Sequence, residues 1–362
     1  MRKLILMVYC LSGLLMNTAV ANVLRAGFEK KEYTDLLKIS GQFMDSTFKF
    51  KPAAPENYTH LRRSLITGMD NRWDLWMRND GVMVISVRGT TRNSISWIEN
   101  FYAAMVPAKG EITIDSNFTF TYALAENPRA AVHVGWLIGM ACLSKDVLPQ
   151  IDSCYAAGVR DIIVSGHSQG GAISFLLTAY LRSLQKTNRI AADVRIKTYC
   201  SAGPKPGNLY FACDYEESTA GGWAFNVINS ADWVPETPMS VQTVDDINIT
   251  NPFVGMNDAL KQTGFKTRIA VKYMYNKMSK PTQKAQKRYE KYLGRMVSKY
   301  VRKALPGYKA PVYVHSMYYV RTGNTIVLLA NDDYYAKFPD SRENVFIHHM
   351  FDPYLYLTEK LP

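Results

Sequence analysis

Short apolar runs punctuated by turn-forming residues fill the middle of the chain. Residues 73–78 and 82–88 flank Asn79-Asp80-Gly81, a trio that predicts a tight hairpin. Just afterwards Ile95, Ile98, Tyr102 and Met105 recur at helical spacing, with Trp97 and Phe101 beside them. Ser96-Trp97-Ile98-Glu99 has the form of a capping box that would start this helix. Residues 134–151 again follow the helical repeat. Residues 161–165, Asp-Ile-Ile-Val-Ser, are too continuously apolar for a half-exposed strand and predict a buried one. A helix over 172–184 follows, then strands over 194–200 and 224–229. Strand and helix thus alternate from 134 to 230, which predicts a mostly parallel sheet flanked by crossover helices. Residues 22–70 mix polar and apolar positions as outer helices do. Residues 257–305 read as two basic helical stretches broken at Pro281, and 313–319 and 325–329 as late strands. There is no internal repeat and no low-complexity tract.

With 362 residues, 47% of them hydrophobic, the chain can bury a sizeable core. Its first 21 residues read as a signal peptide. Arg2 and Lys3 precede an apolar run over 4–15, and Ala19-Val20-Ala21 offers the small residues a signal peptidase accepts. The expected mature protein, 22–362, is one exported α/β domain, periplasmic or extracellular. Four cysteines remain after cleavage: Cys142, Cys154, Cys200 and Cys213. Cys142 and Cys154 fall about 18 Å apart if their helix is continuous, beyond disulfide reach. At most one disulfide is expected. No Cys or His pair has ligand spacing, so neither a metal nor a cofactor is expected. The net charge of +12 is unevenly spread: residues 260–310 hold 15 Lys or Arg against the single acid Glu290, leaving the rest of the mature chain mildly acidic.

The chemistry centres on Gly166-His167-Ser168-Gln169-Gly170, a Gly-x-Ser-x-Gly pattern directly between the buried strand and the next helix. On so tight a turn the serine hydroxyl projects above the sheet, and Gly166 and Gly170 avoid clashes that a Cβ would cause. The Gln169 N–H then lies at a helix N-terminus, where it can bind a developing oxyanion. A nucleophilic serine needs a base, and the base an orienting carboxylate; in hydrolases whose serine sits on such a strand-to-helix turn the order is serine, acid, histidine. Asp232 follows the 224–229 strand and precedes Val234-Pro235, at the carboxyl end of the sheet. Asp245 and Asp246 have no strand leading into them. Three histidines follow: His315 in an expected strand, and His348 and His349 after a polar loop. His348 and His349 both remain candidates on this reading, and His167 is expected to be structural.

Together Arg88-Gly89-Thr90, His133-Val134-Gly135, Gly166 to Gly171, Gly203-Pro204-Lys205-Pro206-Gly207-Asn208 and Asp232-Trp233-Val234-Pro235 resemble the class 3 lipase family in motif, order and spacing. The likeness covers roughly residues 71–240 and 311–357. It implies an α/β-hydrolase fold and a triad of Ser168, Asp232 and a late histidine. In that family the histidine often stands five residues before a Tyr-Leu pair, which selects His349, five before Tyr354-Leu355. The resemblance also implies that Thr90 gives its N–H and hydroxyl to the oxyanion hole, with the Gln169 N–H as second donor. The basic stretch, an insertion over 257–310 between acid and histidine, exceeds what the family core requires.

The expected function is an exported lipase or carboxylesterase acting on acyl esters. A catalytically silent surface- or lipid-binding protein on the same fold is one alternative, and an esterase of polysaccharide-linked esters another. Trp97, Ile98 and Phe101 are expected to belong to a lid over the pocket. In the basic insertion Tyr289, Tyr292, Leu293, Met296, Val297, Tyr300 and Val301 follow one helical face, opposite Lys284, Lys287, Lys291, Arg295, Lys299 and Arg302. This amphipathic pattern suits peripheral contact with an anionic lipid surface; the competing expectation is a face that merely packs on the body. No nucleic-acid partner is expected.

Overall fold

The computed structural model describes residues 23–44, 50–253, 260 and 264–362. The expected signal peptide lies outside the described residues, apart from which the chain opens with helix α1, Lys30–Gly41. Strands β1 (Tyr58–Arg63), β2 (Trp73–Arg78) and β3 (Met83–Val87) form an antiparallel meander, with Asn79-Asp80-Gly81 turning β2 into β3 as its composition predicts. Helix α2 (Ser94–Phe101), strands β4 (Met105–Pro107), β5 (Lys109–Asp115), β6 (Phe118–Ala123) and β7 (Ala131–His133), and helix α3 (Val134–Ala156) follow. Then come β8 (Asp161–His167), α4 (Gln169–Lys186), β9 (Arg195–Ser201), β10 (Gly207–Asn208), α5 (Leu209–Ser218) and β11 (Ala224–Asn229). The late strands are β12 (Tyr319–Val320) and β13 (Asn324–Leu328), and the last helix is Phe351–Glu359.

The central sheet runs β1-β2-β3-β8-β9-β11-β13, parallel from β3 onward. Successive side chains on its strands enter different cores, as the pleat requires. Ile85, Val87, Ile162, Val164 and Ile196 join the core under α3 and α4. Val84, Ile163, Tyr199 and Val227 join a second core closed by α1 and the last helix. A mostly parallel sheet covered by helices on both faces is the α/β-hydrolase-like fold. Its register aligns Val87 with Gly166 and His167 with Ser201, so β3, β8 and β9 end at one edge. That edge carries the site.

The second core holds one charge cluster. Lys197 is fully buried on β9, its ammonium 2.7 Å from Glu32 Oε1 on α1. Tyr199 donates to the same oxygen at 2.7 Å, and Arg78 reaches Glu32 Oε2 at 2.7 Å. The cluster ties α1 to the sheet.

Several expectations are corrected. The basic stretch does not break at Pro281: helix Phe265–Glu290 runs through it. Pro281 is exposed, so the carbonyl it leaves without a helical partner faces water. The helix instead widens into a π-helical segment, Lys291–Met296, and resumes as Val297–Ala304. Residues 313–319 are not a continuous strand; isolated bridges pair Val314 with Met105 and Met317 with Val241. His315 is therefore not held mid-strand but points to Glu290, 3.3 Å away, partly exposed. Among the described residues, the span 22–70 supplies one helix and one strand rather than a set of outer helices. Helix α2 starts from Asn93, whose side chain accepts from the Ile95 N–H, not from a capping box at Ser96. It stops at Phe101, so Tyr102 and Met105 lie beyond it. Apart from these corrections, Cys142, Cys154, Cys200 and Cys213 are free thiols, which at most one disulfide allows. No described helix is long and apolar enough to cross a membrane.

Candidate active site

Ser168 sits between β8 and α4 with φ 62° and ψ −131°, a conformation L-residues rarely adopt. The glycines around it explain how the turn closes. A Cβ on Gly166 would stand 2.3 Å from the Gly170 backbone, and one on Gly170 would stand 2.2 Å from Val87 O. A Cβ on Gly171 would meet Ser201 O at 2.9 Å. The start of α4 is thus pressed against β3, β8 and β9, leaving no room for side chains at 166 and 170. The Ser168 N–H donates to Ser201 O at 2.9 Å, and the Ser168 carbonyl accepts from Ala172 N, so the first turn of α4 holds the serine in place. The Gln169 N–H has no intrahelical acceptor at this terminus and is free to face an oxyanion.

Thr90 follows β3 across Gly89. A Cβ on Gly89 would come within 2.9 Å of His167 O and 3.4 Å of Ser168 Cβ, so this loop runs directly beside the serine. Thr90 Oγ1 accepts from Asn100 Nδ2 at 2.9 Å. Asn100 also binds Trp136 Nε1 through Oδ1 at 2.9 Å and, through its carbonyl, His133 Nε2 at 3.1 Å. Arg88 and Thr91 both reach the Asp70 carboxylate, fixing the loop from the other side.

Asp232 lies just past β11, 2% exposed. Its Oδ2 accepts from His349 Nδ1 at 2.7 Å and from Tyr354 Oη at 2.8 Å, and its Oδ1 from the Val234 N–H at 3.0 Å. Burial pushes the Asp232 carboxyl up, but the His349 charge and the three hydrogen bonds outweigh it and hold the group below the ordinary carboxylate range. His349 and Asp232 are therefore brought together as an imidazole on an ionised carboxylate. His348 is not: its ring nitrogens engage Tyr334 Oη at 2.8 Å and Asp340 Oδ1 at 2.9 Å. No hydrogen bond yet joins Ser168 Oγ to the His349 ring, a contact that commonly tightens only with substrate bound.

His167 fastens His349 to the strand that leads into Ser168. Its Nε2 donates to the His349 carbonyl at 2.8 Å, and its Nδ1 accepts from Ser201 Oγ at 3.0 Å, which in turn takes the Tyr33 hydroxyl at 2.8 Å. Burial lowers the His167 ring to about 3, so it stays neutral and holds one tautomer. The structural place expected of His167 is this bond to the His349 carbonyl. The bonds of Tyr354 to Asp232 and of Asn100 to Thr90 leave no signal in the sequence.

Helix α2 packs beside the site with an inverted face. Ser96 and Glu99 are buried, while Trp97 and Phe101 are exposed and Ile98 is half-buried. Ser96 donates to Gln169 Oε1 at 3.1 Å, and Glu99 accepts from Asn71 Nδ2 at 2.7 Å. Burial drives the Glu99 carboxyl up to about 8, although the Asn71 and Gln169 amides oppose the shift. Outside, Trp97 faces Phe346 (ring centroids 6.1 Å apart), Phe346 faces Trp233 (5.3 Å), and Phe346 also approaches His349 (6.0 Å). An aromatic rim thus flanks the histidine. No group of three or more His, Cys, Asp or Glu that could hold a metal occurs among the described residues.

A serine on a strand-to-helix turn at the carboxyl edge of this sheet defines a serine hydrolase of the α/β-hydrolase class. Residues 84–242 match the family model for lipase (class 3). Among solved structures it is similar to Lip2 lipase from Yarrowia lipolytica, 17% identical over 60% of this chain and 77% of that one, with a TM-score of 0.43. It is also similar to the Rhizomucor miehei lipase propeptide complex, 19% identical over 59% of this chain and 65% of that one, with a TM-score of 0.41. No curated protein sequence matches the chain.

Proposed function

We propose that the protein is an exported lipase or carboxylesterase that cleaves acyl esters through Ser168, His349 and Asp232. The observation that carries this reading is the pairing of Asp232 with His349, 2.7 Å apart, at the edge where Ser168 emerges from its strained turn. In the acylation step Ser168 Oγ attacks the ester carbonyl carbon while His349 Nε2 takes its proton. Asp232 holds Nδ1–H and stabilises the imidazolium that forms. The carbonyl oxygen becomes an oxyanion facing the N–H groups of Gln169 and Thr90, and the Asn100 bond fixes the Thr90 hydroxyl in orientation. His349 then returns the proton to the departing alcohol. Water, deprotonated by His349, attacks the acyl-serine, and the carboxylic acid leaves with Ser168 restored.

Helix α2 acts as the lid. What supports this is the burial of its polar Ser96 and Glu99 while Trp97 and Phe101 stay in water, the reverse of a helix that packs as core.

The deciding experiment is hydrolysis of nitrophenyl esters of rising chain length, with and without a serine-directed phosphonate. The expected result is turnover that the phosphonate abolishes by one covalent addition, on Ser168. A folded protein that neither hydrolyses the esters nor takes the label would overturn the reading in favour of a silent binding protein. Export is tested by sequencing the N-terminus of protein recovered outside the cytoplasm: a start at Asn22 is expected, and a retained Met1 would refute it.

A further inference from the structure

The basic insertion presents two apolar stripes, and only one of them is used. Tyr289, Val297 and Val301 are buried: Val297 and Val301 enter the main core, and Tyr289 packs on a small cluster with Met105 and Tyr319, where half-buried Leu293 joins it. The Leu293 carbonyl accepts from Ala104 N at 3.1 Å, and Gly294 lies so near Ala104 that a Cβ would come within 2.9 Å. The segment is therefore seated beside the end of α2. Tyr292, Met296 and Tyr300, spaced four apart, stay in water. So do Phe265, Ile269, Tyr273, Met274 and Met278 along the preceding helix, Met278 at 75% exposure. Packing on the body accounts for part of the amphipathic pattern and leaves these side chains exposed.

The bare stripe is bordered by cations. Lys291, Arg295 and Lys299 each stand one position before Tyr292, Met296 and Tyr300, Lys303 continues the four-residue spacing, and all four are exposed. Lys277, Lys291 and Lys303 place their ammonium groups 5.3, 5.2 and 5.7 Å from the ring centroids of Tyr273, Tyr292 and Tyr300. A groove of about 450 Å³ opens next to the stripe, its walls including Arg295, Lys299 and Arg302 against the one acid Glu290. Glu290 is already paired with Arg295 at 2.6 Å. The groove thus offers spare positive charge beside exposed apolar side chains.

We propose that this surface docks the protein on a lipid bilayer bearing anionic headgroups. Lysine and arginine draw the protein to the charged surface, and the tyrosine and methionine side chains enter the boundary between headgroups and acyl chains. A nucleic acid or other soluble polyanion would use the cations but leave Met278, Met296 and Ile269 in water. The proposal deepens the lipase reading by placing its substrate at such a surface, but the two are tested apart.

The test uses the Ser168→Ala protein, so binding is read without turnover. Its partition is measured on vesicles of pure phosphatidylcholine and on vesicles that also contain phosphatidylglycerol. Tighter binding to the anionic vesicles, weakening as salt rises, is expected. Replacing Lys277, Lys291, Lys299 and Lys303 with Gln should weaken that binding at least tenfold, and of order a hundredfold or more at low salt. Replacing Tyr292, Met296 and Tyr300 with Ser should weaken it as well. Both sets, made in the active protein, should hydrolyse short soluble esters at the parental rate, which also certifies folding. Equal binding to the two kinds of vesicle, or lysine variants that bind like the parent, would overturn the proposal. Binding to heparin or DNA that depends on the lysines, with vesicle binding unchanged in the Tyr/Met variant, would overturn it in favour of a soluble polyanion. Loss of ester hydrolysis in the parental protein with docking intact would strike the lipase reading and leave this one standing.

Discussion

At the scale of single residues, the site rests on a few short hydrogen bonds whose removal has different consequences. Ser168→Ala should reduce ester turnover about 10⁶-fold and Asp232→Asn roughly 10⁴-fold, as losses of nucleophile and orienter do in other triads. His349→Ala should match the serine variant, whereas His348→Ala should keep most activity because its ring is spent on Tyr334 and Asp340. The opposite ranking in steady-state assays would move the base to His348. Thr90→Val should lower kcat by about 10²–10³ with little change in KM, since one oxyanion partner is lost. Much of this was legible in the sequence. The serine and its glycines identify themselves because the turn admits few other residue types, and Asp232 stands out through its place after a strand and the Asp-x-Val-Pro context shared with the class 3 lipases. Tyr354 and Asn100 were not legible: a buried tyrosine or asparagine looks the same in sequence whether it serves Asp232, Thr90 or nothing.

Helix α2 poses the question at the scale of an element. Its periodicity was readable, and Trp97, Ile98 and Phe101 were legible as lid residues, but the buried Ser96 and Glu99 that anchor the helix from beneath were not, because polar residues on a surface helix read as solvent-facing. Glu99 gives that anchoring a pH dependence. The unfolded carboxyl titrates near 4.3, whereas in the folded protein burial lifts it to about 8. Between those values the folded state keeps a proton that the unfolded chain has lost, so stability from this group falls as pH rises through the window and levels off above it. Glu99→Gln should therefore raise Tm relative to the parent at pH 9 and change it much less near pH 4; melting curves at both pH values check this. If α2 moves as a lid, the rate on a short-chain ester should jump as its concentration crosses the solubility limit, and Trp97→Ser with Phe101→Ser should abolish the jump. Smooth saturation through that limit would count against movement. The hairpin β5–β6 was not read at all: its alternation of Ile112, Ile114, Phe120 and Tyr122 with polar neighbours is plain, but it lies between stronger signals.

Across the whole molecule, alternating apolar runs and helical repeats made the sheet legible from 134 to 230, because each parallel strand is buried on both faces and cannot hide its composition. The charge cluster of Lys197 and Glu32 was not legible, since the two positions are far apart in sequence and a lysine mid-strand reads as solvent-facing. It bears on how the chain can fold. Helix α1 is made early, yet its counter-charge on β9 and its neighbours in the last helix come much later; Lys30 Nζ even donates to the Glu359 carbonyl at 3.1 Å. Until α1 docks, the Lys197 ammonium has no carboxylate to meet, and burying it alone would cost several kcal/mol. This face of the sheet thus closes stably only once α1 is in place, and that closure waits on contacts between residues far apart in sequence, which slows folding relative to local contacts alone.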